Sequence, residues 1–104
     1  MAETKPVTTL VSYYPKAGKE QELLSLIEQH WPTLNSIGLV SPMRAQIWRA
    51  ADKRTNQNFF VELFQWKDET ASEIAHQTPE VMAVWETMGP ILEKLQLTRL
   101  EPLE

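Results

Sequence analysis

The sequence predicts an α+β fold with the element order β-α-β-β-α-β. Three observations carry that prediction. Hydrophobic residues make up 42% of 104, enough for a packed core. Four stretches are rich in β-branched, aromatic or alternating apolar residues, as strands are. Between them lie stretches whose apolar residues recur at three and four positions, the period of a helix.

The first strand is "VTTLVSYY", residues 7–14, and "PKAGK" breaks it. From Lys19 onward Leu23, Ile27, His30, Leu34 and Ile37 form a helical stripe, with Leu24 and Trp31 alongside. Pro32 removes one backbone donor and bends this helix. Gly38 followed by Leu39 suits a left-handed helix C-terminus with a hydrophobic contact after it.

"PMRAQIWRA" alternates again. Met43, Ala45 and Ile47 point one way, and Arg44, Gln46 and Trp48 the other. "ADKRTNQ" is a polar turn. In "NFFVELFQW", Phe59, Val61 and Leu63 share one face, while Phe60, Glu62, Phe64 and Trp66 share the opposite one. The short connection predicts an antiparallel hairpin. Thr70 and Glu73 have capping-box spacing. Thr78-Pro79 starts a second helical piece, with Glu80 in its first turn and a stripe of Val81, Trp85, Met88 and Leu92. Gly89-Pro90 interrupts that stripe. "LQLTRLEPL" closes as a strand, with Leu95, Leu97 and Arg99 on one face and Gln96, Thr98 and Leu100 on the other.

This order is the ferredoxin-like split βαβ arrangement, and residues 1–104 are expected to form one domain. Two helices cover only one face of a four-stranded sheet. The middle strands carry large apolar groups on both faces, so the uncovered face predicts a homodimer of two such sheets.

Composition excludes several classes. The absence of cysteine removes disulfides, thiolate chemistry, iron–sulfur clusters and most structural zinc sites. Two histidines without a dense cluster of carboxylates give no metal motif. A net charge of -4 argues against nucleic acid or an anionic membrane as a partner. "NFFVELF" has the strand pattern of an RNA-recognition motif without its glycines or leading basic residue. The N-terminal "MAETKPVTTL" lacks a secretory pattern, and no apolar run approaches a membrane span, so the expected location is the cytoplasm.

At "FFVELFQWKDETASEIAHQTPEVMAVWE" the chain resembles the antibiotic biosynthesis monooxygenase family of dimeric α+β barrels. A strand ends in an acidic residue and a tryptophan. A helix ending in Ala-His follows, then a break, then "PEV" opening another helix. "PKAGKEQELLSLI" matches the family's Lys-x-Gly turn before its first helix. The resemblance implies a homodimer with sheets face to face and a pocket between each sheet and its helices. It also implies a reaction drawn from a varied set: cofactor-free oxidation of phenols and quinols, haem degradation or isomerisation. Haem-degrading members carry an axial histidine about where Trp85 stands, and an asparagine that "VTTLVSYY" lacks. The expectation is therefore a pocket for a small aromatic or quinone-like ligand, and no cofactor.

Tyr13, Tyr14, Trp48, Trp66, Glu62 and His76 offer the chemistry for binding a phenol and helping to deprotonate it. His76 is either a general base, its imidazole titrating near neutral pH, or the end of a helix held by backbone carbonyls. Glu62 lies mid-strand between Phe60 and Phe64 on a face that something must cover. It therefore needs a partner: Arg44 or Arg99 in a structural ion pair, or His76 and a ligand hydroxyl in a working one. His30 sits on the first helix's apolar stripe and can line the same pocket. Trp85 is either core or ligand wall. Trp48 and Trp66 share parity with polar neighbours and offer a flat aromatic surface. The sequence thus names His76 and Glu62 as the candidate catalytic pair, and Tyr13, His30, Trp48, Trp66 and Trp85 as candidate ligand-binding residues.

Overall fold

The structure, a computed structural model, describes residues 5–103. Its elements are β1 (Val7–Pro15), α1 (Glu20–Ser36), β2 (Gln46–Ala51), β3 (Asn58–Trp66), α2 (Ala71–Ala75), α3 (Pro79–Met88) and β4 (Leu92–Leu100). A single 3-10 turn, Gly89–Ile91, joins α3 to β4 where Gly89-Pro90 was expected to stop the helix. The strands form one sheet in the order β2-β3-β1-β4, antiparallel throughout. This is the ferredoxin-like arrangement.

The helix α1 ends as its sequence requires. Gly38 adopts φ 74. The Leu39 N–H donates to the Leu34 carbonyl, and the Gly38 N–H to that of Asn35. These two bonds make a Schellman motif, and buried Leu34 and Leu39 supply its hydrophobic contact. The start of α2 differs from expectation. Thr70 makes no capping bond with its side chain. Instead Asp68 Oδ1, two residues earlier, accepts from the Thr70 and Ala71 N–H groups and from the Thr70 hydroxyl. The short aspartate reaches forward to these donors as an Asx turn, and the Thr70 hydroxyl is spent on Asp68 and makes no cap.

Strand register decides which side chains face the helices. Phe60, Glu62, Phe64 and Trp66 of β3 are all buried on the helix side. Val11 and Tyr13 of β1 share that side, beside Glu62 and Phe60. Leu95, Leu97 and Arg99 of β4 align with Tyr13, Val11 and Thr9 and so also point toward the helices. Helix α1 packs on β3 and on α3; Leu23, Ile27 and Leu34 of α1 and Val81 and Met88 of α3 complete this core. The opposite face carries Leu10, Phe59, Val61 and Leu63, all partly exposed. Trp48 aligns with Val61 and lies on that uncovered face, 48% exposed. The expectation that Trp48 and Trp66 share a face is thereby corrected. Successive side chains alternate along each strand, and the β2–β3 register puts the two tryptophans on opposite sides of the sheet.

Candidate functional site

A cavity of about 520 Å³ lies between the helix-facing side of β1, β3 and β4 and the three helices. A chain of polar side chains supplied by four elements runs along its inner wall, with Tyr13, His30 and Trp85 lining the cavity and Glu62 buried behind them. Tyr13 of β1 donates its hydroxyl to Glu62 Oε1 of β3 at 2.7 Å. His30 Nδ1 of α1 lies 2.9 Å from the same oxygen. Trp85 Nε1 of α3 lies 2.9 Å from His30 Nε2. An indole N–H can only donate. His30 Nε2 therefore accepts, the ring proton sits on Nδ1, and Nδ1–H donates to the carboxylate. Both imidazole nitrogens are thus committed, and the tautomer is fixed by the groups at its two ends.

The elements explain how this chain forms. His30 occupies a stripe position of α1 that crosses the middle of β3, where Glu62 stands between Phe60 and Phe64. The Phe64 ring meets the imidazole in a T-shaped contact, the ring centres 5.5 Å apart. Glu62 is fully buried, and its Oε2 has no hydrogen-bond partner among the described residues. Burial, reinforced by the neighbouring Glu62 charge, pushes the Tyr13 hydroxyl well above its ordinary 10.0, so it remains a donor.

The geometry redistributes the roles expected of the candidate residues. Glu62 pairs with neither Arg44 nor Arg99. Arg44 lies over the Trp31 ring, and Arg99 bonds Glu69 at 2.9 Å. Nor does Glu62 orient His76. It orients His30, because α1, not the α2–α3 turn, crosses the sheet above it. His76 lines the cavity at an exposed position, its ring 4.7 Å from that of Trp85. Its backbone N–H donates to Ser72, as at an ordinary helix end. His76 thus ends α2 and also faces the cavity. Tyr13, His30, Trp66 and Trp85 also line the cavity; Trp48 and Glu62 do not, Glu62 being buried behind His30 and Tyr13. Phe64, Asp68, Glu69 and Ser72 were not singled out as site residues from the sequence, and Arg99 was offered only as an ion-pair partner for Glu62. Phe64 could have been, since it shares parity with Glu62. The hydroxyl and N–H groups of Thr70 hold the Asp68 carboxyl below the usual carboxylate range. No cluster of three or more potential metal ligands occurs among the described residues.

No family model matches the chain, and no curated protein sequence does. Solved structures do match over nearly its whole length. A protein from Arabidopsis thaliana superposes with a TM-score of 0.76 at 14% identity, covering 95% of this chain and 97% of its own. SnoaB, a cofactor-independent oxygenase from Streptomyces nogalater, gives 0.73 at 12% identity, covering 96% and 95%. A Bacteroides thetaiotaomicron protein named as an antibiotic biosynthesis monooxygenase gives 0.71 at 17% identity, covering 96% and 91%. The chain therefore shares the fold of structures named as antibiotic biosynthesis monooxygenases, as its sequence resemblance led one to expect. At these identities the match speaks to fold and leaves the reaction to the site.

Proposed function

We propose that this chain is a small-molecule pocket protein that binds a phenol or quinol and promotes its oxidation by dioxygen without a cofactor. The observation that carries this reading is the His30 imidazole on the wall of a cavity that also holds Phe64, Trp66 and Trp85, with the buried Glu62 carboxylate behind it. A carboxylate behind an imidazole fixes its tautomer and stabilises the imidazolium that forms when Nε2 takes a proton. The ligand hydroxyl takes the place of the Trp85 N–H at His30 Nε2. The resulting phenolate is electron-rich and can reduce dioxygen. A phenol with a free ring C–H then gives a quinone and water, one oxygen atom going to each. Phe64, Trp66 and Trp85 hold the ring. Of the two cavity imidazoles, His30 has the carboxylate and is assigned as the base. His76, which the sequence offered for that role, serves as rim and wall against Trp85.

The test is oxygen uptake over a panel of quinols and phenols. Removing a positioned base costs roughly 10²–10⁴ in rate, so His30→Ala and Glu62→Gln should fall by that much while His76→Ala loses less than tenfold. The reverse pattern would return the base to His76. A second reading, ligand binding without turnover, is favoured by one observation: both His30 nitrogens are already engaged. Tight binding with no oxygen uptake across the panel would establish it.

Haem fits this chain poorly. Trp85 stands where the resemblance would place an axial histidine, and its N–H is bound to His30. Hemin titration should produce no sharp one-to-one Soret shift; a tight complex degraded on adding reductant would overturn this. The partner for the uncovered sheet face is, in this reading, a second copy of the chain.

A further inference from the structure

We infer that the ligand carries an apolar substituent on its ring, and that Leu95 and Leu97 of β4 form the track along which this substituent leaves the cavity. This deepens the phenol reading and rests on it.

The observation is a strip of leucine that is at once cavity wall and open surface. Leu95 is 48% exposed and Leu97 is 68% exposed, yet both line the cavity that holds Tyr13, His30 and Trp85. Their register with Tyr13 and Val11 puts them on the helix side of the sheet. A second copy docked on the opposite face would leave them uncovered, because neighbouring side chains along β4 point to opposite sides. Single exposed leucines are ordinary on protein surfaces. Two of them at alternate positions, continuous with the interior of a binding cavity, form an apolar path outward.

The rest of the lining gives the path its direction. The hydrogen-bonding end, where a ring hydroxyl would sit, is Tyr13, His30 and Trp85. Another part of the rim is charged: Asp68 caps α2, and Glu69 is paired with Arg99. An apolar group avoids those charges, which would lose solvation under it. Along β4 the apolar lining is Leu92, Leu95 and Leu97, with Met88 of α3 beside it, and the charged part of the rim begins beyond Leu97, at Arg99. Size points the same way. About 520 Å³ lies in the roughly 300–1,000 Å³ range that holds drug-sized ligands, and one phenol ring would leave much of it empty. The ligand class is thus an alkyl- or prenyl-substituted phenol or quinol, amphipathic in the same sense as the site.

The experiment measures binding of 4-alkylphenols, from methyl to octyl, by quenching of tryptophan fluorescence. Burying a methylene fully raises affinity by roughly fourfold, so partial burial on this track should give about two- to threefold per carbon. The double variant Leu95→Ser, Leu97→Ser should flatten that dependence, so that octylphenol loses its advantage over methylphenol. Both positions are on the surface, where substitution rarely disturbs a fold. Leu103→Ser, at an exposed leucine outside the cavity lining, should keep the full dependence. Chain-length dependence that survives in the double variant would overturn the proposal. So would loss of self-association in that variant with the dependence intact, which would make the leucines a contact between copies. If phenols bind with no response to chain length, only the track fails. If no member of the series binds, the phenol reading itself fails and takes the track with it.

Discussion

Glu62 is the residue on which the inner wall depends. Its Oε1 accepts from both Tyr13 and His30, so Glu62→Ala leaves two buried donors without a partner. Each such orphan costs about 1–3 kcal/mol, and the variant should be strongly destabilised in urea unfolding. Glu62→Gln keeps an acceptor oxygen and should cost markedly less, while still losing the charge that supports a His30 imidazolium. A glutamine variant as unstable as the alanine one would show that charge, not hydrogen bonding, holds the chain together. Tyr13 adds a pH dependence. Its hydroxyl is held well above its ordinary 10.0 by burial first and the Glu62 charge second. The unfolded chain therefore releases this proton before the folded one does. The associated stability is complete below 10.0 and is lost as pH rises from there through the raised value. Tyr13→Phe should be less stable than wild type near neutrality, by about 1 kcal/mol for the lost hydrogen bond. The gap should narrow as pH climbs above 10.0. A constant gap across that range would contradict the assignment. The sequence exposed Glu62 as a carboxylate needing a partner, since it sits between two phenylalanines. It could not say which partner, because Tyr13, His30, Arg44, Arg99 and His76 come from different elements.

The elements themselves end where short-range chemistry stops them. Gly38 holds φ 74, and a Cβ built there meets nothing within 4 Å. Any penalty for Gly38→Ala is thus backbone strain alone, about 1–2 kcal/mol for a left-handed alanine. Thermal unfolding should show a loss of that size with the fold unchanged. A neutral result would mean that α1 can end without the left-handed turn. This terminus was legible because Gly-Leu after an apolar stripe is a local signal. The α2 start was legible only in part. Thr70 and Glu73 have the right spacing, but Asp68 takes the Thr70 hydroxyl and the Thr70 N–H that a capping-box Glu73 would accept from. Strand β4 begins at Leu92, earlier than "LQLTRLEPL" suggested. Leu92 continued the helical stripe of Val81, Trp85 and Met88 in sequence; the 3-10 turn at Gly89–Ile91 is what converts it to the first strand residue.

For the whole molecule, the decisive feature is the sheet face without helices. Leu10, Phe59, Val61, Leu63 and Trp48 all stand on it, partly or largely exposed. Contiguous apolar surface of this kind marks an interaction site, and a two-fold pairing of identical sheets is the simplest way to cover it. Light scattering at low micromolar concentration should give twice the 12.0 kDa chain mass. Trp48→Glu should shift that mass toward one chain, since a charge would be buried between the sheets. A well-folded monomer of the wild-type chain would remove the dimer from this account. The Trp48 prediction exists only because the register corrected its place: a residue expected in the ligand pocket is instead the most exposed aromatic of the opposite face.

By itself the sequence determined what is local. Periodicity set the strands and helices, Gly38 and Thr78-Pro79 set helix ends, and alternation in β3 set which side chains travel together. Those facts fix the element order, and the order leaves few ways to build the sheet. Tertiary structure alone decided which elements cross. That α1 lies over the centre of β3 gave Glu62 to His30 and not to His76. That β2 pairs with β3 in its particular register sent Trp48 to one face and Trp66 to the other. Hydrogen bonds between residues 32 and 49 positions apart leave no periodic trace in a sequence, because their partners share no element. They are chosen when hydrophobic stripes pack, and the polar groups carried on those stripes pair with whatever the packing brings within reach.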